Sequence, residues 1–135
     1  MKSIKIQSVF YILFVVIIVF SCRSNDDNAT STNPYIGNWA GTYTGSKDNG
    51  TWTAKVNSDN TITGTAHSNI DNVDSYAKGT IDANGNVAIG IYTNSTSTTE
   101  QGKFTGVFKT DKTASGTWQN LVSTSYFGTW TGNKQ

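Results

Sequence analysis

From Ile36 to Asn133 the chain alternates apolar and polar side chains in short runs, with no stretch at the three-to-four-residue spacing of a helix. Turn residues cut it into eight segments, near 36–45, 50–57, 61–68, 73–82, 86–93, 100–109, 113–120 and 124–133. The separators are rich in Asp, Asn and Gly, which accept turn conformations at low cost: Lys47–Gly50, Ser58–Asn60, Asp71-Asn72, Ala83–Gly85 and Thr110–Lys112. A strand turns successive side chains to opposite faces. One face then reads Trp39 and Tyr43; Trp52, Ala54 and Val56; Ile62, Gly64 and Ala66; Val73, Ala77 and Ile81; Val87, Ile89 and Ile91; Phe104 and Phe108; Ala114 and Trp118; Tyr126 and Trp130. The other face is mostly Thr, Ser, Asn, Asp and Lys, so each strand has one buried and one wet side.

No connection is long enough for a crossover helix, so neighbouring strands must run antiparallel. Loop lengths set the registers. The Ser58–Asn60 loop puts Val56 opposite Ile62, and Ala83–Gly85 puts Ile81 opposite Val87 and Ala77 opposite Ile91. A Ser46–Asn49 loop puts Tyr43 opposite Trp52. Gly-x-aromatic recurs, as in Gly41-Thr42-Tyr43, Gly50-Thr51-Trp52, Gly116-Thr117-Trp118 and Gly128-Thr129-Trp130. This spacing places a ring beside a glycine on its own strand and lets the sheet bend sharply. The expected fold is all-β, an eight-stranded antiparallel up-and-down barrel over residues 34–135; a two-sheet sandwich is the alternative closure.

The N-terminal segment follows a different pattern. Lys2 and Lys5 precede the apolar run Val9–Phe20, which ends at Ser21-Cys22. A basic start, a short apolar stretch and a small residue at the cut make a secretion signal over residues 1–21. The run is shorter than the ~20 residues that span a bilayer. An uncleaved anchor helix would leave the cysteine at its end unexplained. Val19-Phe20-Ser21-Cys22 resembles the lipobox of bacterial lipoproteins. The resemblance implies that the signal is cut before Cys22 and that Cys22 carries acyl chains, each buried methylene adding about 0.8 kcal/mol of membrane affinity. The implied location is exported and lipid-anchored, at the outer membrane. Residues 22–33 are polar and lack large apolar side chains, so they read as a tether. Asp26-Asp27 within it resembles the acidic signal that sends some Bacteroidetes lipoproteins to the cell surface; a solvated spacer is the plain reading.

Cys22 is the only cysteine, so no disulfide forms within the chain. Without Lys2 and Lys5, eight basic side chains face nine acidic ones, and the sole arginine, Arg23, lies in the tether. With no basic cluster, nucleic acid is excluded as a partner.

Ile36-Gly37-Asn38-Trp39, opening an eight-stranded meander, resembles the Gly-x-Trp start of the calycins, the superfamily of lipocalins and avidins. The resemblance implies that Trp39 plugs one barrel end and that a basic residue near the last strand, here Lys134, packs on it. No biotin-contact residue of the avidins carries over.

In these registers Tyr43, Trp52, Phe104, Trp118 and Tyr126 face inward near the end that gathers loops 46–49, 69–72, 94–99 and 121–123, while Trp39 and Trp130 lie toward the other. Those five rings either line a pocket for a small apolar or sugar-like ligand or fill the core of a chain poor in Leu and Met. Outside, Tyr76 and Tyr92 fall opposite each other on neighbouring strands and offer either a stiffening pair or a protein-contact face; Val107 and Phe127 are also outward. No catalytic, cofactor or metal constellation stands out. His67, the only histidine, lies on the wet face without a Cys or His partner, and most aspartates sit in turns. Asp82–Asn86 lacks the closing Glu of a calcium loop. The expected function is therefore a non-enzymatic, membrane-tethered binding module for a small molecule. The alternative is a protein-interaction role, such as an inhibitor of a secreted hydrolase or an accessory subunit of a surface complex.

Overall fold

The computed structural model describes residues Asn33–Gln135. The signal segment, Cys22 and the tether up to residue 32 lie outside the described residues. Eight strands form one closed antiparallel barrel in sequence order: β1 (Gly37–Gly45), β2 (Asn49–Val56), β3 (Thr61–Ser68), β4 (Val73–Ile81), β5 (Asn86–Tyr92), β6 (Gly102–Phe108), β7 (Thr113–Asn120) and β8 (Phe127–Lys134). The seam is an ordinary antiparallel ladder, from Trp39↔Lys134 to Gly45↔Gly128. This is the expected up-and-down barrel, and the sandwich is set aside.

Three tight hairpins build one end, here the lower end. Each has a three-residue loop whose last residue is left-handed: Asn60 (φ 66°), Gly85 (φ 86°) and Lys112 (φ 69°). In two of them an aspartate side chain accepts both the backbone N–H and the hydroxyl of the threonine that opens the next strand, Asp59 from Thr61 and Asp111 from Thr113. In the third, Asp82 accepts the Asn84 and Asn86 N–H groups and the Asn86 amide, so its oxygens serve the turn. Residues 33–36 cross this same end. Tyr35 is buried, its carbonyl accepts the Trp39 indole N–H at 2.8 Å, and the Trp39 ring lies 4.3 Å from Phe108. Trp39 is 1% exposed, so it does plug the barrel floor. Lys134 pairs across the seam from Trp39, and its ammonium donates to the Pro34 carbonyl at 2.8 Å.

The registers of β2–β3 and β4–β5 are as expected, with Val56↔Ile62, Ile81↔Val87 and Ala77↔Ile91. The β1–β2 register is not. Tyr43 pairs with Gly50 and Trp52 with Gly41. The Asp48 carboxylate accepts the N–H of Asn49, which starts β2 one residue early. Moving a loop by one residue moves the register by two, so every side chain keeps its face. Val73 is a second departure. It has the inward parity but is 54% exposed, because the β3–β4 hairpin rises past the last layer of core rings.

Glycines and indoles work as pairs, but across strands. Trp130 on β8 pairs with Gly116 on β7, and its indole N–H donates beyond it to the Thr105 carbonyl of β6 (3.2 Å) as well as to Thr117 (3.1 Å). A methyl on Gly116 would lie 2.6 Å from the Trp130 ring and would collide with the Thr105 carbonyl oxygen. The bare glycine thus lets the indole lie along the barrel wall and reach a carbonyl two strands away. The same device recurs with Trp52 over Gly41 to Thr131, and Trp118 over Gly128 to Thr44. The expected placement of each ring against the glycine two residues before it on the same strand is therefore corrected. Large rings from β6, β7 and β8 fill the barrel toward Ala54, Ala66 and Ala77 on β2–β4, and all of these are buried.

Candidate functional site

The upper end carries the candidate ring cluster. Tyr43, Phe104 and Trp118 meet there, with centroids 5.7 Å (Tyr43–Phe104), 5.4 Å (Tyr43–Trp118) and 6.3 Å (Phe104–Trp118) apart. Tyr126 lies in the β7–β8 connection, partly buried against them. Trp52 is deeper. With Gly41 rather than Tyr43 opposite, it sits one step down the barrel and contacts Trp130 at 5.5 Å and Phe108 at 6.2 Å. Trp130 also touches Phe104 and Phe108, so it belongs to the barrel centre rather than to the lower end.

These rings touch each other and leave little room. The space beside Ala54, Ala66 and Ala77 is about 20 Å³, roughly one water's worth, whereas a small-molecule pocket takes about 300–1,000 Å³. The mouth is closed by a polar network absent from the sequence reading. The Tyr43 hydroxyl donates to Asp48 at 2.9 Å, Ser68 donates to the other Asp48 oxygen at 2.7 Å, and the Asp71 N–H donates to Ser68. Burial first, then the hydrogen bond to Asp48 and the charge of its carboxylate, hold the Tyr43 hydroxyl well above its ordinary value of 10.0. The signal for this network lies in Asp48 and Ser68, two loop-end residues that strand pairing brings beside Tyr43. Among the described residues, no buried side-chain polar atom lacks a hydrogen-bond partner.

The outer tyrosines pair as expected, Tyr76↔Tyr92. They are not equally available. The Lys78 ammonium sits 4.1 Å over the Tyr92 ring and also donates to the Ser97 carbonyl, and the Tyr92 hydroxyl donates to Glu100 at 3.2 Å. Tyr92 is thus engaged by its own neighbours, while Tyr76 lines a shallow outer groove with Thr53, Thr63 and Thr65. His67 gains a partner that the sequence reading left out: its Nδ1 lies 2.9 Å from Asp74, opposite it on β4. Both are open to solvent, with side chains 39% and 78% exposed, and no hydroxyl is hydrogen-bonded to the ring among the described residues. Among the described residues five large apolar side chains are exposed, and Ile70, Val73, Leu121, Val122 and Phe127 all lie at or near the upper end.

No protein-family model matches the chain, and no curated protein is similar to it.

Proposed function

We propose that this protein is a lipid-anchored, extracytoplasmic lipoprotein that works as a non-enzymatic binding module through the outer surface and upper rim of its barrel. The observation that carries this reading is the filled interior, whose free volume of about 20 Å³ is too small for a metabolite. With the inside closed, recognition falls to the outside, which favours the interaction role over an internal small-ligand pocket. The polarity of the barrel agrees. The chain enters at the lower end, where Asn33 is held to Asn60, and the exposed apolar side chains gather at the other.

Two measurements test this. Intact mass of the full-length protein from a bacterial host should show loss of residues 1–21 and addition of acyl chains, and Cys22→Ala should release the protein from membranes. An unmodified, unprocessed mass would refute the anchoring. Native mass spectrometry of the purified lipoprotein should show no retained small molecule. A reproducible adduct that disappears on unfolding would refute the filled-barrel reading.

A further inference from the structure

The lower hairpins β2–β3 and β6–β7 are near copies. Thr61-Ile62-Thr63-Gly64-Thr65 recurs as Thr113-Ala114-Ser115-Gly116-Thr117, each preceded by an aspartate that caps its first threonine. On the outside each hairpin carries a cross-strand threonine pair, Thr53–Thr65 with hydroxyl oxygens 3.0 Å apart and Thr105–Thr117 with 3.3 Å. Each pair lies in a shallow groove, about 480 Å³ over β1–β4 and about 440 Å³ over β6–β8. The first adds Lys55, Asn38 and Tyr76; the second adds Lys103, Gln119 and Phe127. Both grooves therefore combine a threonine pair, a side-chain amide, an aromatic ring and a single lysine, and the first adds Thr63 and Gln135. Neither is lined by an Asp or Glu side chain. Among the described residues the only ion pair is His67–Asp74, so both ammonium groups are unpaired.

This chemistry selects an occupant. A hydroxyl-lined floor with a side-chain amide matches the hydroxyls of a sugar, and the ring offers a flat apolar face to sugar C–H groups. Among the described residues Phe127, 57% exposed, is the only aromatic among the large apolar side chains left in water. A lone lysine with no acid beside it complements a single carboxylate. Building on the outer-surface reading above, we propose that the two grooves are binding sites for an acidic glycan, with the uronate carboxylate on Lys55 or Lys103 and the sugar ring over Tyr76 or Phe127. Two strands separate the hairpins on each side of the eight-stranded barrel, so the sites face opposite ways. One molecule then holds two glycan strands.

The test uses the full lipoprotein in detergent micelles with labelled threonine methyls and tryptophan indoles. A short oligogalacturonide is the probe, and the same oligomer with its carboxyls methyl-esterified is the control. Two separate sets of signals should move, Thr53 with Thr65 and Thr105 with Thr117. Lys55→Gln should weaken only the first set and Lys103→Gln only the second, each by about tenfold, as expected for loss of one charge-assisted contact. Both lysines are exposed, so near-ultraviolet circular dichroism should be unchanged. Equal response to the esterified oligomer, no response to either, or coupled loss at both grooves from one substitution would overturn the proposal. If glycans fail but an outer-face substitution such as Tyr76→Ser or Phe127→Ser abolishes capture of a protein partner, the proposal falls and the outer-surface reading stands. If the signals that move are the core indoles Trp52, Trp118 and Trp130, both fall.

Discussion

Gly116→Ala isolates the cross-strand pairing of indole and glycine. In a strand interior this change ordinarily stabilises by roughly 0.5–1 kcal/mol, because glycine loses the most backbone freedom on folding. Here the added methyl would meet the Thr105 carbonyl oxygen and lie 2.6 Å from the Trp130 ring. Neither neighbour has room to yield, since Trp130 is 2% exposed and Thr105 is held in the β6–β7 ladder. Overpacking of this kind costs about 1–3 kcal/mol. Displacing the indole also endangers its N–H bonds to Thr105 and Thr117, at about 1 kcal/mol net apiece. The expected balance is a loss of about 3 kcal/mol. With a urea slope of about 1–1.5 kcal/mol/M that lowers the midpoint by about 2 M, and it lowers Tm by about 15 °C for a domain of this size. The assay is urea unfolding followed by tryptophan fluorescence. The paired control is Gly102→Ala, where the nearest atom is the Gln119 carbonyl oxygen at 3.2 Å and the next is Ile91 at 3.6 Å. That variant should change stability by less than about 1 kcal/mol. A Gly116→Ala variant as stable as the parent, or more stable, would refute the account of how the indoles lie on the wall.

Lys112 adopts a left-handed conformation that glycine takes freely, so Lys112→Gly should stabilise the fold by about 1 kcal/mol in the same urea assay. The Tyr43 hydroxyl titrates above 10.0 in the folded protein, so its stabilising effect is complete below pH 10 and is lost as pH rises toward the folded value. Tyr43→Phe should therefore be less stable at pH 7 by about 1 kcal/mol and should show a shallower alkaline decline. Asp59 and Asp111 are held below their ordinary 3.8, chiefly by the hydroxyls of Thr61 and Thr113. Their effect is complete above pH 3.8 and is lost as pH falls through the depressed values. Asp59→Asn with Asp111→Asn should flatten the acid limb of a thermal melting series.

The strand segments were legible because this chain keeps strict alternation and spends its turn residues at hairpins. The three-residue loops before Thr61, Asn86 and Thr113 left one sterically easy register each. The β1–β2 loop defeated the same reasoning, since choosing between Ser46–Asn49 and Gly45–Asp48 depends on what Asp48 binds. That choice placed Trp52 level with Tyr43, whereas it lies a step deeper, against Trp130 and Phe108. Parity alone also misplaced Val73, because alternation reports the face of a strand but not how far the strand overshoots the core. The recurrence of Gly-x-aromatic was visible, but its meaning was not. Two residues on one strand share a face, yet the ring needs the empty wall of the next strand. The capping role of Tyr35 left no periodic trace, since it precedes β1. The twin grooves had one in the repeat of Thr61–Thr65 at Thr113–Thr117.

The seam between β1 and β8 also limits how any partner can hold this molecule. With every strand of the barrel paired on both sides, no row of main-chain donors and acceptors is left open among the described residues to template another chain. Recognition by strand addition is closed off, and so is edge-to-edge polymerisation. Copies brought to high local concentration would stay separate at densities where an open sheet would zip together.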